Sequence, residues 1–408
     1  MEKYKNTISY ITEKTKISSE TYTNRGSATL SEYNAFNNIS EEAKEFAEQD
    51  SLKTISYMVS HKAFLQWAKF LSVFLLLGYA AFFFVPIMSW VFVFIGLLPL
   101  FFEKIAHWRF IDFAFEQQLS NSFYVSRKPQ NKATKRIVFS ANIDAPTELT
   151  LNKYGGYVWF ITILVFCVLG IIFVLISSLV AMIITKSAIS TINFANHNIL
   201  TTVHFIGMIF VPFFIALAFT YNEKSITPGA SASLSSCYLS ISVLKYLKEN
   251  NVNLNDTEVG VLINGSTYAG LRGAKAWLKQ NPNFAKDIPT YIIHHSNLYN
   301  ISDLSIVNKD LFGLYKVDNK SSKLYEQAAA NNSKVIQKKR LNLSATDTYV
   351  YNRHNLDAVS VMALNRIWPK EYNTSFDTYE KIDTECLLRC FVLSLNAISI
   401  LDDQTISS

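Results

Sequence analysis

The run Arg136–Ser140 (RIVFS) is basic, then apolar and β-branched, which predicts a strand feeding a loop; that loop reads SANIDAP over residues 140–146. A strand ending in His-x-Asp-x-Pro presents one zinc-binding imidazole at a sheet edge, with the aspartate orienting the ring from behind. Here the imidazole position holds Asn142, while Asp144 keeps its place. Other residues able to do chemistry do not assemble into a pattern. His294 and His295 are adjacent, so on a strand they point to opposite faces and do not easily share one ion. His354, in a loop near Asp357, reads as a surface histidine. Ser266 falls at a strand-to-helix turn but lacks the Gly-x-Ser-x-Gly of a nucleophile elbow. Of the four cysteines, Cys167 lies in an apolar run and Cys386 and Cys390 are one helical turn apart, which makes neither a disulfide framework nor a metal knuckle.

The elements that would position such residues alternate along the polar part of the chain. Residues 136–140, 258–265 (EVGVLING), 289–296 (PTYIIHHS) and 358–364 (AVSVMAL) read as strands. Residues 233–250, 270–281, 323–339 (KLYEQAAANNSKVIQKK) and 384–403 read as helices. This order predicts an α/β three-layer sandwich with a mixed, largely parallel sheet.

The 408 residues are half hydrophobic and only 17% charged, too apolar for an ordinary soluble enzyme. The excess is concentrated in three uncharged runs, Phe70–Phe102, Tyr154–Thr185 and Ile199–Tyr221. The first exceeds the roughly 20 residues one helix needs to cross a bilayer, and Pro86 near its middle predicts a hairpin of two short helices beginning near Phe64. Four transmembrane helices are therefore expected, inserted as two hairpins. The expected layout is an N-terminal helical part (1–62), hairpin one (63–103), the first part of the α/β domain (104–153), hairpin two (154–221) and the main part (222–408). The first sixty residues are polar and show no signal peptide. Lys62, Lys69, Lys104, Arg109, Lys153 and Lys224 flank the crossings on one side and Lys186 alone on the other, so a multi-pass protein of the cell membrane with its polar domain in the cytoplasm is expected. The basic stretches at 320–323 and 337–340 are dispersed; they read as a solvated face beside an anionic membrane, and no nucleic-acid partner is expected.

Taken together, six stretches resemble the two-zinc aminopeptidase family that includes bacterial leucyl aminopeptidase, glutamate carboxypeptidase, transferrin receptor and nicastrin. NRGSATLSEYNAF (24–36) resembles the family's opening before its first helix, and SANIDAP its strand ending in His-x-Asp. TPGASASLSS (227–236) resembles the turn that supplies the bridging aspartate. INGSTYAGLRGAKAW (263–277) is similar to the Glu-Glu-x-Gly-Leu-x-Gly turn, and YNTSFDT (372–378) to Tyr-His-Thr-x-x-Asp-Thr. TDTYVYNRHNLDAVSVMAL (346–364) is similar to the Ser-Asp-His stretch that precedes a strand. The resemblance implies an aminopeptidase-like fold.

Carried over residue by residue, the resemblance also shows what is missing. Two neighbouring zinc ions need a bridging carboxylate, flanking imidazole and carboxylate ligands, and a glutamate to take a proton from water. The positions implied are Asn142 for the first histidine, Ala232 for the bridging aspartate, Thr267 for the general base, Tyr268 for the adjoining glutamate, Ser296 for the next aspartate and Asn373 for the last histidine. Supporting Asp144, Asp347 and Asp377 persist, with Gly229, Gly270 and Gly273. Every replacement is neutral, as suits a carboxylate pocket relieved of its metals. Asn142 and Asn373 are expected to donate to Asp144 and nearby carbonyls, and Tyr268 to fill the space. The expectation is a membrane pseudopeptidase without zinc and without catalytic residues, partnered by the lipid bilayer and by a peptide or protein that it binds or positions. The alternative is an active membrane-bound metallo-aminopeptidase with atypical ligands.

Overall fold

The computed structural model describes residues 2–189, 198–284, 286–330, 336–404 and 406. The chain forms two compact units, one of residues 1–61, 117–148 and 224–408, the other of residues 62–116 and 149–223.

The first unit is built on a nine-stranded sheet. Its strands are β1 (Lys53–Val59), β2 (Gln118–Arg127), β3 (Lys135–Asn142), β4 (Thr257–Asn264), β5 (Thr290–Leu298), β6 (Leu304–Asp310), β7 (Tyr315–Lys316), β8 (Gln337–Arg340) and β9 (Asp357–Ala363). The order is β1-β2-β4-β3-β5-β9-β6-β8, with β7 paired to β6. The central four, β4, β3, β5 and β9, run parallel. They are the strands expected from the sequence, because strands covered on both faces are continuous apolar runs. In β3, Ile137, Val138 and Phe139 are all fully buried, and successive residues feed opposite cores. Ile137 and Phe139 belong to the core shared with α1 (Lys5–Thr21), α2 (Leu30–Glu45), α3 (Ser235–Glu249), α5 (Lys320–Ala330) and α7 (Thr384–Asp402), whereas Val138 belongs to the core shared with α4 (Arg272–Gln280) and α6 (Asp347–Arg353). Helices on both faces complete the three-layer sandwich.

One expected helix is corrected. Residues 323–339 are not a single helix, since α5 ends at Ala330 and Gln337–Arg340 is the edge strand β8, parallel to β6. Residues 331–335 of that stretch lie outside the described residues.

In the second unit, a 15-residue helix Trp67–Ala81 is followed by Pro86–Pro99, which a π-helical turn extends to Ile105. Pro86 opens the second helix after an extended Val85, as suits a residue that fixes φ and lacks an N–H. Then come Thr150–Thr185 and, beyond the undescribed residues 190–197, Asn198–Ile206 and Val211–Ala218 joined by a 3-10 turn. Among the described residues, four helices are long and apolar enough to cross a membrane: Pro86–Ile105, Thr150–Thr185, Ile199–Ala218 and Thr384–Asp402. The last is α7, 61% of whose apolar window is buried, against 28–33% for the others, and it belongs to the core of the sandwich. Trp67–Ala81, within the first expected crossing, is shorter than the roughly 20 residues of a full span. Small residues set the helix contacts of this unit: a Cβ at Gly96, Gly170 or Gly207 would come within 2.7, 2.5 and 2.1 Å of Phe74, Phe214 and Phe173. His204, not singled out in the sequence, is fully buried and stacked on Phe82, with Nε2 3.0 Å from the Tyr79 carbonyl and Nδ1 3.0 Å from the Ser177 hydroxyl.

Candidate functional site

The site lies within the first unit, where the C-terminal ends of β3 and β4 meet two tight turns. The turn between β4 and α4 can close because Gly273 carries no side chain; a Cβ there would stand 2.1 Å from the Gly265 carbonyl. The second turn, Ala230–Leu234, opens on Gly229 in the left-handed region (φ 64°). Its first amides have no partner inside the helix and both turn to one carboxylate. Ser231 N donates to Asp377 Oδ1 at 2.8 Å and Ala232 N to Oδ2 at 3.0 Å.

Asp144 is held from three sides. Ser27 Oγ donates to Oδ2 at 2.6 Å, Tyr268 N to Oδ2 at 2.8 Å and Thr267 N to Oδ1 at 3.1 Å. These donors correct one part of the expectation for the two asparagines, for among the described residues neither side chain reaches Asp144. Asn142 Oδ1 instead accepts from Thr267 Oγ1 at 3.1 Å, and the same hydroxyl lies 3.1 Å from Asp347 Oδ2. Asn264 Nδ2 then links Asp347 Oδ2 (2.7 Å) to the Tyr351 hydroxyl (2.6 Å). Tyr268 reaches the other turn, its hydroxyl 3.4 Å from the Ala232 carbonyl. The structure thus joins Asn142, Asp144, Ala232, Thr267, Tyr268, Asp347 and Asp377 in one hydrogen-bonded cluster. Ser296 on β5 is buried but takes no part in these bonds. Asn373 has a left-handed backbone (φ 53°), and its Oδ1 is buried without a partner.

Three members were not assigned roles from the sequence. Arg25, fully enclosed, donates from Nε to the Ile143 carbonyl at 2.6 Å and from Nη2 to Pro228 O at 3.1 Å and Ser233 Oγ at 3.2 Å. Glu32 caps α2, receiving Ala28 N at 2.6 Å and also Ser266 N at 2.8 Å from the β4–α4 turn. Ser27 is the third. All three sit in or just after the Arg-Gly-Ser stretch, so its match to a known motif was the available signal.

The electrostatics are those of a carboxylate-rich interior. Burial pushes Asp144 up to about 6, against the pull of the Ser27 hydroxyl and the two amides. Burial likewise raises Asp347 and Asp377 to about 7 each, and Glu32 to about 8 with Asp144 adding repulsion. Buried His294 and His295 are pushed down to about 3, which leaves both neutral.

The donors gathered here do not fit a two-zinc centre. Ala232, where the resemblance expects the bridging carboxylate, has no donor atom, and Thr267, where it expects the base, has its hydroxyl between Asn142 and Asp347. A cluster of this kind can position groups by hydrogen bonding, and it offers water no side-chain base at Thr267.

Architecture and site define an aminopeptidase-like α/β protein. Residues 217–398 match the model of peptidase family M28, so the chain is similar to that family over the stretch from before the Asp377-binding turn into α7. Among solved structures, a glutaminyl cyclase of Bacteroides thetaiotaomicron bound to N-acetylhistamine aligns over 96% of this chain and 97% of its own, at 9% identity and TM-score 0.55. A leucine aminopeptidase precursor from Bacteroides thetaiotaomicron VPI-5482 aligns over 96% of both chains, at 10% identity and TM-score 0.54. A Zn-dependent exopeptidase of Parabacteroides distasonis covers 98% of this chain and 97% of its own, at 8% identity and TM-score 0.53. At these identities the likeness is one of fold. No curated protein matches the chain.

Proposed function

We propose that this chain is a multi-pass membrane pseudopeptidase, whose aminopeptidase-like unit binds or positions a peptide or partner protein at the membrane without zinc and without hydrolysis. The observation that supports it best is the pair Ala232 and Thr267: one position that should bridge two metals has no donor, and the one that should hold the base is tied between Asn142 and Asp347. Elemental analysis of the purified full chain is expected to find essentially no zinc, and aminoacyl reporter substrates with added zinc to show no turnover above a heat-treated control. About two zinc per chain with chelator-sensitive hydrolysis would establish the alternative, an active metallo-aminopeptidase with atypical ligands.

The membrane part of the proposal places both termini and the aminopeptidase-like unit in the cytoplasm, on the asymmetry of Lys and Arg around the apolar helices. The four native cysteines are all buried, so single cysteines introduced at Asn319 and at Asn193, the latter outside the described residues, report orientation. In intact cells an impermeant thiol reagent is expected to label the Asn193→Cys chain and spare the Asn319→Cys chain. The reverse pattern inverts the topology.

A further inference from the structure

We propose that residues 107–115, which follow the helix Pro86–Ile105 of the second unit, form a fixed aromatic anchor for the headgroup layer of a lipid bilayer. The inference rests on the membrane part of the reading proposed above. The segment reads HWRFIDFAF, four aromatic rings in nine residues. Trp108 and Phe113 expose 60% and 86% of their surface, whereas a loop surrounded by water would present polar side chains there. Nor does the segment hang loose. His107, in the left-handed region (φ 54°), lets the chain turn back, and Trp108 N donates to the Phe102 carbonyl at 2.7 Å. Glu103, buried in the last turn of the helix, accepts through one oxygen from Phe110 N at 2.7 Å and Ile111 N at 2.9 Å. The Phe102 ring stacks on both Trp108 and Phe110, with centroids 5.4 and 4.7 Å apart. The backbone is thus folded back on the helix end, and the exposed rings are held at that level.

That level coincides with one end of the apolar helices. Phe64 stacks on His107 at 6.0 Å, the Trp67 ring meets Tyr221, Lys69 pairs with Glu223 at 2.6 Å, and Thr150 N donates to the Thr220 carbonyl at 3.0 Å. The opposite end is marked by Ile87 N, which donates to the Ala188 carbonyl at 3.2 Å. At the first end Tyr154, Trp159 and Phe219 are exposed as well, in company with the cations Lys69, Arg109 and Lys153. Among the described residues the opposite end exposes apolar side chains such as Phe84 and Ile189 but no tryptophan or tyrosine. Rings with an apolar body, beside cations that can face phosphates, suit the boundary between acyl chains and headgroups. A protein partner would require no such alignment with the helix ends.

The test places nitroxide labels on single introduced cysteines, the four native ones being buried, in the full chain reconstituted into bilayers of phosphatidylcholine and phosphatidylglycerol. Accessibility to oxygen, which concentrates among acyl chains, is compared with accessibility to a water-soluble nickel chelate. Ala114→Cys, at an exposed position that leaves every ring in place, is expected to read about 5 to 10 Å into the boundary between headgroups and acyl chains. Val168→Cys, exposed midway along Thr150–Thr185, is expected to read deeper, and Lys132→Cys, exposed in the first unit, to read water. Adding Phe113→Ser is expected to move the Ala114 label toward water, and a label that stays put would show that the rings do not set its depth and overturn the anchor. An Ala114 label as open to nickel as the Lys132 label, while the Val168 label stays deep, overturns the anchor and leaves the membrane reading standing. Protection of the Ala114 label from both reagents assigns the segment to a protein contact and overturns it too. A Val168 label that reads water overturns the membrane reading and the anchor together.

Discussion

Ala232→Asp, which places a carboxylate where the resemblance expects the bridging ligand, is expected to destabilise the aminopeptidase-like unit severely, by about 3 to 5 kcal/mol. Ala232 is fully buried, its amide is already given to Asp377, and its carbonyl faces the Tyr268 hydroxyl. A new carboxylate there joins Asp144, Asp347 and Asp377, while the enclosed cation beside them, Arg25, is committed to four carbonyls and a serine. The added group must either ionise without a counter-charge or hold its proton and find an acceptor, and both are costly in a closed interior. Ala232→Asn adds nearly the same volume without the charge, so the difference between the two variants isolates electrostatics from overpacking. Asn142→His should cost less, about 1 to 2 kcal/mol, since a neutral imidazole can still accept from Thr267. Thermal unfolding of the three variants, with and without added zinc, checks the order. An unchanged Ala232→Asp protein, or one that zinc restores to the stability of the parent, would mean that the pocket is open or still assembles a metal centre.

The contrast between what could and could not be foreseen follows from burial. The strands legible in the sequence are the four parallel ones at the centre of the sheet, where both faces are covered and the residues are apolar without interruption. β1 is an edge strand that buries only Ile55, Tyr57 and Val59 among exposed neighbours, and β8 is four polar or charged residues at an edge. Such strands are specified by the neighbours they pair with, so hydropathy does not announce them. The same logic applies to the site. Positions such as Ala232 and Thr267 came into view because a resemblance assigned them. The hydrogen-bond partners did not, because the choice between Asp144 and Thr267 as the partner of Asn142 depends on which donors already occupy Asp144. Ser27 and two backbone amides do so, and only the folded chain brings them there.

The buried carboxylates also fix the direction of the pH dependence. Asp347 and Asp377 are each raised by burial to about 7, and Asp144 to about 6, above the ordinary value of 3.8 that an unfolded chain gives them. Between the two values the folded chain binds more protons than the unfolded one, so stability is greatest below about pH 4 on this account and declines as pH rises toward 7. A carboxyl held near 7 costs the folded state on the order of 4 kcal/mol once it ionises. Asp144, Asp347 and Glu32 also do not ionise independently, since the first to lose its proton raises its neighbours. The full chain is therefore expected to unfold at a lower temperature at pH 8 than at pH 5.5. Asp347→Asn should reduce that difference by making one of these groups permanently neutral. The amide can be accommodated, because Asn264 Oδ1 is buried without a partner; rotating the Asn264 amide offers that oxygen both to the new NH2 and to the Tyr351 hydroxyl. The variant is thus expected to gain stability over the parent at both pH values, and by more at pH 8 than at pH 5.5. Equal melting temperatures of the parent at the two pH values, or an Asp347→Asn protein weakened equally at both, would show that Asp347 is ionised and satisfied in the folded chain.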